Sequence, residues 1–350
     1  MYVTDRKVRF ALVGCGRISA NHFGAIEQHA ENAELVSVCD TNPDALKAAV
    51  ERTGAAGFAN YSSMLANASP RPDVIILTTP SGLHPKQAIE AAEAGFHVMT
   101  EKPMATRWKD GLAMVDACDK AGVNLFVVKQ NRRNQTLQLL KQAVSQKRFG
   151  RIYSVAINVF WTRPQSYYDS ASWRGTWEFD GGAFMNQASH YIDLLDWLIG
   201  PIESVQAMTA TLARNIQVED TGAMLVKWRS GAIGTVNVSM LTYPRNLEGS
   251  ITILGEKGTV KVGGVAVNEI RHWEFEDKLP EDELVQQANY ETTSVYGFGH
   301  PLYYDNVIKS MRGEAEPETD GREGLRSLEI LIAAYKAARD GQAVSLPLEY

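Results

Sequence analysis

Residues 8–19, VRFALVGCGRIS, narrow the choice of fold more than any other stretch. The apolar run VRFALV is short and rich in residue types that favour a buried strand. It passes directly into a loop with glycines at 14 and 16 that opens the next helix. Gly14 permits the tight turn. Gly16, with Arg17 and Ile18 behind it, lets backbone approach a pyrophosphate that rests on the helix N-terminus. Ser19 stands where such loops usually carry a third glycine, and a small residue there still allows close helix packing. The second strand pattern, ELVSVC, is followed by Asp40, 21 residues after Ser19. A carboxylate at that place accepts hydrogen bonds from a ribose hydroxyl; a cap on the following turn is the plainer alternative. Asp40 would repel a 2′-phosphate and no arginine follows it closely, so the pattern predicts NAD rather than NADP.

The alternation continues through DVIILTT (73–79), FHVM (96–99) and NLFVV (124–128). Helical segments lie between these runs. In TNPDALKAAVERTG, Asn42 suits the N-cap, Pro43 the first helical position and Gly54 the end; HPKQAIEAAEAG ends similarly at Gly95. This order predicts a doubly wound parallel sheet that binds ligands beyond the carboxyl ends of its strands. Two more loops fall at that edge. TTPSGLH would bring Thr78, Thr79 and Pro80 against the dinucleotide, with His84 opening the next helix. TEKP (100–103) would set Glu101 and Lys102 at the nicotinamide end. A solvated surface turn would explain the same two charges, but the other loops converge on one crevice and favour an active-site lysine.

At 350 residues the chain exceeds one ordinary core and suits two domains, expected at 1–128 and 129–350. A net charge of −6 and a pI near 5.7 exclude the basic footprint of a nucleic-acid binder. Cys15, Cys39 and Cys118 are widely spaced and read as reduced thiols. No HExxH or cysteine cluster predicts a metal site. No leader pattern or membrane-length apolar run is evident, so the cytoplasm is the expected location.

Beyond a helix ending near Lys147 the period changes. In RIYSVAINVFW the odd positions Tyr153, Val155, Ile157, Val159 and Trp161 are apolar, a period of two that marks a half-buried strand. Further strand patterns and turns predict an α+β domain with a large, mostly antiparallel sheet. One face should pack on helices. The other carries many apolar residues and would need a partner. Residues 181–201 predict one helix whose apolar face is Phe184, Ala188, Tyr191, Leu195 and Leu198, stopped by Gly200 and Pro201. Asn186, His190 and Asp193 form a polar stripe on it, either a satisfied core network or a histidine facing a crevice. Asn131 and Arg132, then Arg163 and Tyr167, then Arg245 lie in loops that would favour a carboxylate or phosphate ligand.

GCGRIS, TTPSGLH and EKPMA, in this order, resemble the glucose–fructose oxidoreductase and inositol 2-dehydrogenase family. The resemblance implies an N-terminal Rossmann domain, a catalytic lysine at Lys102, a Lys102–Pro103 bond that is often cis, and a homo-oligomer (dimer or tetramer) through the open sheet face. The GG pair, His190 and Asp193 match the family's helix, while Asn186 replaces its usual aspartate, a lost charge that would suit an anionic substrate. VVKQNRRN and WRGTWEFDGGAFMNQASHYIDLL resemble one branch, the bacterial UDP-N-acetylglucosaminuronic acid 3-dehydrogenases of polysaccharide sugar biosynthesis, including lipopolysaccharide O-antigen. That resemblance adds Gln130, Trp173 and Arg174 to the expected NAD contacts. Asn131, Arg132, Arg163, Tyr167, Asn186, His190, Arg245 and Lys102 become the expected substrate contacts.

Oxidising a secondary alcohol requires a base for the hydroxyl proton, and imidazole suits that task near neutral pH, so His190 is the expected base. Lys102 would stabilise negative charge on the same oxygen, though the reverse assignment is chemically open. A dehydrogenase of another sugar or polyol, an NAD-dependent glycosidase without net redox change, and a non-catalytic NAD sensor are the rivals. Retention of both Lys102 and His190 weighs against the sensor.

Overall fold

The computed structural model describes residues 2–292 and 297–349. Contacts divide the chain into two compact units. The first comprises Met1–Gln130 and His300–Leu325, the second Asn131–Gly299 and Arg326–Tyr350.

The first unit holds β1 (Val8–Val13), β2 (Ala33–Cys39), β3 (Ala56–Phe58), β4 (Val74–Leu77), β5 (His97–Thr100) and β6 (Leu125–Val127). Their order is β3-β2-β1-β4-β5-β6 and every neighbouring pair is parallel. Helices α1 (Ser19–Gln28), α2 (Pro43–Thr53), α3 (Tyr61–Asn67), α4 (His84–Glu93) and α5 (Trp108–Ala121) supply the crossovers. Asn42 caps α2 as expected, its side chain accepting from the N–H groups of Asp44 and Ala45 at 2.9 and 3.1 Å. The register pairs Val13 with both Cys39 and Leu77, and Leu77 with Thr100. Gly14, Asp40, Thr78 and Glu101 therefore leave the sheet from one edge, where strand order reverses between β1 and β4.

In the second unit α6 (Gln135–Ser145) precedes an eight-stranded sheet, with the short α7 (Gln165–Asp169) and α8 (Ser189–Leu194) in its connections. The strands are β7 (Ile152–Phe160), β8 (Ile202–Ala210), β9 (Thr221–Trp228), β10 (Ile233–Ser239), β11 (Glu248–Gly255), β12 (Gly258–Gly263), β13 (Glu269–Phe275) and β14 (Val344–Ser345). They run in the order β13-β12-β11-β7-β10-β9-β8-β14, antiparallel except for the β7–β10 pair. Period-two alternation sorts its faces: Val155, Ile157, Val159, Val226, Trp228, Val236 and Ile251 are buried. Tyr153 departs from the expected pattern and is 49% exposed near the start of β7. On the opposite face Met208, Leu225, Ile233 and Leu254 are exposed, but Asn237 donates to Asn158 in the middle of it at 3.1 Å. That face is mixed rather than uniformly apolar.

A short α9 (Val285–Ala288) is followed by α10 (Gly299–Arg312), most of which belongs to the first unit. Tyr303, Tyr304, Val307, Ile308 and Met311 join the core cluster that contains Phe10, Phe23 and Ile76. Burial of side chains of this size is worth about 1.5–3 kcal/mol each. α11 (Gly321–Asp340) crosses from the first unit to the second after Leu325.

Candidate active site

The glycine loop is shaped by what lies beside it. Gly14 has φ +97°, and a Cβ there would stand 2.8 Å from the backbone of Thr78 and Thr79. Only glycine lets β1 leave the sheet this close to the next loop. Ser19 turns its hydroxyl back onto the Gly16 carbonyl at 2.7 Å. A Cβ at Gly16 would meet nothing within 4 Å, leaving a backbone cradle suited to a pyrophosphate. Arg17 is exposed and Ile18 half-buried beside it. The Asp40 carboxylate accepts from the N–H of Cys15 at 2.6 Å and of Asn42 at 2.7 Å. It both braces the glycine loop and caps the next turn, and its remaining lone pairs suit ribose hydroxyls. The residues present therefore fit a nicotinamide dinucleotide. From Asp40 we expect NAD to bind at least about tenfold tighter than NADP, roughly 1.4 kcal/mol; calorimetric titration with each would show it, and equal affinities would remove the ribose role.

The neighbouring loops are tied together. Thr78 donates its hydroxyl to the Gly14 carbonyl at 2.6 Å, and Thr79 to Gln87 Oε1 at 2.5 Å. His84, expected to touch the dinucleotide, is buried; its ring nitrogens lie 2.8 Å from the Thr79 carbonyl and 3.1 Å from that of Pro103. It is a strut between the TTP and EKP loops, and burial lowers its pKa. The Lys102–Pro103 peptide is cis, as the resemblance implies. Glu101, also expected among the NAD contacts, is buried. Its Oε1 lies 3.1 Å from His22 Nε2 and 3.4 Å from His300 Nε2. Burial alone would raise its pKa, but the two imidazoles outweigh it and hold the carboxyl well below the usual range. These three residues could in principle hold a metal ion, since their ligand atoms lie within 4.8 Å of one another. Short sequence motifs could not show this grouping, because the histidines are 79 and 199 residues from Glu101. Gln130 is fully buried after β6.

In the second unit the expected helix is interrupted. Residues Ala183–Gln187 and Leu195–Ile199 form wider π turns on either side of α8. Phe184, Ala188, Tyr191, Leu195 and Leu198 are buried as the periodicity requires. Within the polar stripe His190 is 6% exposed and Asp193 3%. Arg132, expected to meet the substrate, lays its guanidinium fork on Asp193: Nε and Nη2 donate at 2.7 and 2.8 Å. Asn186 donates to the buried Asp180. Asn131 is buried, with no partner for its Oδ1 among the described residues.

Arg163 donates to Gln187 Oε1 at 2.9 Å, Gln187 to the Tyr167 hydroxyl at 3.2 Å, and Arg174 to the same hydroxyl at 2.6 Å. The Arg174 guanidinium also stacks 4.3 Å from the Tyr167 ring and 4.5 Å from that of Trp173. Two arginines are thus pre-set around one tyrosine. Arg245 is exposed and stands outside this network.

The sequence reading also missed Glu219. Its Oε1 accepts from the Phe184 N–H at 2.9 Å and from the Tyr335 hydroxyl at 2.8 Å, at the start of the His190 helix. Gly182 admits it: a Cβ there would fall 1.7 Å from Glu219 Oε2. Burial raises the Glu219 pKa from 4.5 to about 7. A carboxyl raised on folding contributes stability that is complete below pH 4.5 and is lost as pH rises through about 7. Two and a half pKa units correspond to roughly 3 kcal/mol. Glu219→Gln is expected to flatten the fall in unfolding midpoint between pH 5 and pH 8; an unchanged slope would contradict it.

A parallel dinucleotide-binding unit carrying an EKP lysine, joined to an α+β unit carrying a buried histidine helix, defines a nicotinamide-dependent oxidoreductase of the two-domain kind. Residues 8–129 match the oxidoreductase family's NAD-binding Rossmann fold and residues 141–346 its C-terminal alpha/beta domain, and the chain belongs to this Gfo/Idh/MocA family. It is 73% identical, with a TM-score of 0.95, to the WlbA dehydrogenase of Chromobacterium violaceum in complex with NADH and UDP-GlcNAcA, covering 100% of this chain and 99% of that one. The WlbA dehydrogenase of Bordetella pertussis, with the same two ligands, is 68% identical with a TM-score of 0.96, covering 99% and 100%. D-apiose dehydrogenase of Paraburkholderia graminis is 25% identical over 98% of this chain and 91% of its own length.

Proposed function

We propose that the protein uses NAD to oxidise the carbon-3 hydroxyl of UDP-N-acetylglucosaminuronic acid (UDP-GlcNAcA) to the 3-keto sugar. The observation that carries this reading is full-length similarity, at 73% and 68% identity, to two dehydrogenases crystallised with NADH and UDP-GlcNAcA. Bound NAD supplies the hydride acceptor. His190 takes the hydroxyl proton and Lys102 donates a hydrogen bond to the same oxygen as negative charge develops. Asn131 and Asn186 orient the sugar. Arg163, with Tyr167, and Arg245 receive the carboxylate and diphosphate, while Gln130, Trp173 and Arg174 serve the nicotinamide end. Arg132 acts through Asp193 on the His190 helix rather than by direct contact.

A homo-oligomer through the open sheet face would cover Met208, Leu225, Ile233 and Leu254. Three free thiols suit a reducing compartment such as the cytoplasm. Among the described residues no helix is long and apolar enough to cross a membrane.

The test compares UDP-GlcNAcA with UDP-N-acetylglucosamine, which lacks the carboxylate, by single-turnover absorbance of NADH. The neutral sugar nucleotide is expected to react some ten- to hundredfold more slowly, because an arginine deprived of its partner loses about 1.5–3 kcal/mol. Equal rates would refute carboxylate recognition. Reaction only with a free sugar or polyol would refute the nucleotide-sugar assignment.

A further inference from the structure

Beneath the EKP loop lies a cluster to which the proposed chemistry gives no part. His22 on α1 is 0% exposed, His300 on α10 2%, Tyr304 on α10 0% and Glu101 5%. Oε1 of Glu101 faces both Nε2 atoms, and Oε2 accepts from the Lys102 N–H at 3.1 Å. The Glu101 carboxyl, held well below the usual range, is ionised and can only accept, so both Nε2 atoms facing it carry hydrogen. Burial lowers the His22 pKa, so that ring is neutral and its Nδ1, 2.7 Å from the Tyr304 oxygen, accepts the phenolic hydrogen. The Glu101 carboxylate thus places a buried negative charge immediately before Lys102.

We infer that His22, Glu101 and His300 are positioning residues: through the Glu101 carboxylate they fix the backbone at Lys102. The inference rests on the role proposed above for Lys102. The titratable groups around Glu101 are His22 from α1, His300 and Tyr304 from α10, His84 from α4 and Lys102 itself. A carboxamide at 101 disturbs this set: with its NH2 toward Lys102 it meets an N–H donor, and with its NH2 toward the histidines it is accommodated only if both rings switch tautomer.

The experiment compares Glu101→Gln with the unaltered protein in NADH formation from UDP-GlcNAcA across pH, and in NAD binding. The rate constant should fall about tenfold or more while the NAD Kd changes less than about threefold. General loosening would weaken NAD binding in step with the rate, and that result would overturn the inference. Should Glu101→Gln fail to fold, His300→Gln, which keeps an N–H donor, should lose at least about fivefold less rate than His300→Leu; equal losses would overturn it. A readout independent of substrate is 15N NMR of the seven histidines. Hydrogen on Nε2 of both His22 and His300 is expected. An Nδ1–H tautomer at either, or a stoichiometric metal by elemental analysis, would overturn the hydrogen-bond reading. If the unaltered protein makes no NADH from UDP-GlcNAcA while the NMR result holds, the substrate assignment fails and the cluster's structure stands.

Discussion

Lys102→Ala and His190→Ala are each expected to lower the rate of NADH formation at least about a hundredfold while leaving NAD bound. The magnitude follows from what each group supplies. A positioned base contributes roughly 10²–10⁴, and a single hydrogen-bond donor to a developing oxyanion about 10²–10³. The dinucleotide cradle is built from other residues. Gly14, Gly16 and Asp40 depend on neither side chain for their geometry, and Asp40 takes its hydrogen bonds from Cys15 and Asn42. Single-turnover absorbance at the nicotinamide band, paired with calorimetric NAD binding, separates the two properties. A variant that retained a tenth or more of the unaltered rate would not fit the role given to that residue. The pair also bears on which group is the base. If His190 is, the acid limb of the kcat profile should vanish in His190→Gln and persist in Lys102→Arg.

The second large effect concerns stability. Arg132→Leu is expected to cost about 3–5 kcal/mol, because it strands the Asp193 carboxylate in a buried site. The guanidinium fork on Asp193 is nearly enclosed, with side chains 9% and 4% exposed. Desolvation of the two ions offsets much of their attraction, so pairing Arg132→Leu with Asp193→Leu should restore a good part of the loss. Urea unfolding without substrate measures both. An Arg132→Leu protein as stable as the parent would return Arg132 to the role of a substrate ligand, as its place among the loop arginines first suggests.

These two outcomes mirror what could and could not be read from the chain. The Rossmann half was legible because its signals are local: a strand, Gly14, Gly16 and then Asp40 lie within one βαβ span, and period and turn chemistry agree. The His190 helix was legible from its apolar repeat, but the π turns at 183–187 and 195–199 were not, since they insert without disturbing the burial of Phe184, Leu195 or Leu198. Partnerships across long separations were out of reach. Nothing near Arg132 indicates that Asp193 will take its fork, and nothing near Glu101 indicates His22 or His300. A sequence pattern shows that a residue is polar and on a given face; it does not show which distant group meets it. At Glu101 and Arg132, charges expected to meet ligands have protein partners as well: His22 and His300 in one case, Asp193 in the other. The glycine pair at 181–182 was legible as a motif, yet its cause at Gly182, the Glu219 carboxylate, lies in another strand connection.

The division of the chain into interleaved units has a bearing on its synthesis. The first unit closes only with His300–Leu325, yet its sheet is complete in sequence by Val127. On a ribosome adding about 5–20 residues per second, the 195 residues between Gln130 and Leu325 take roughly 10–40 s to appear. For that interval the nascent sheet lacks Tyr303, Tyr304, Val307, Ile308 and Met311, and the side of the core that holds Phe10 has no cover from α10. The nascent NAD-binding sheet therefore waits with one side of its core uncovered, and a gene truncated after β6 encodes not a small domain but an uncapped one.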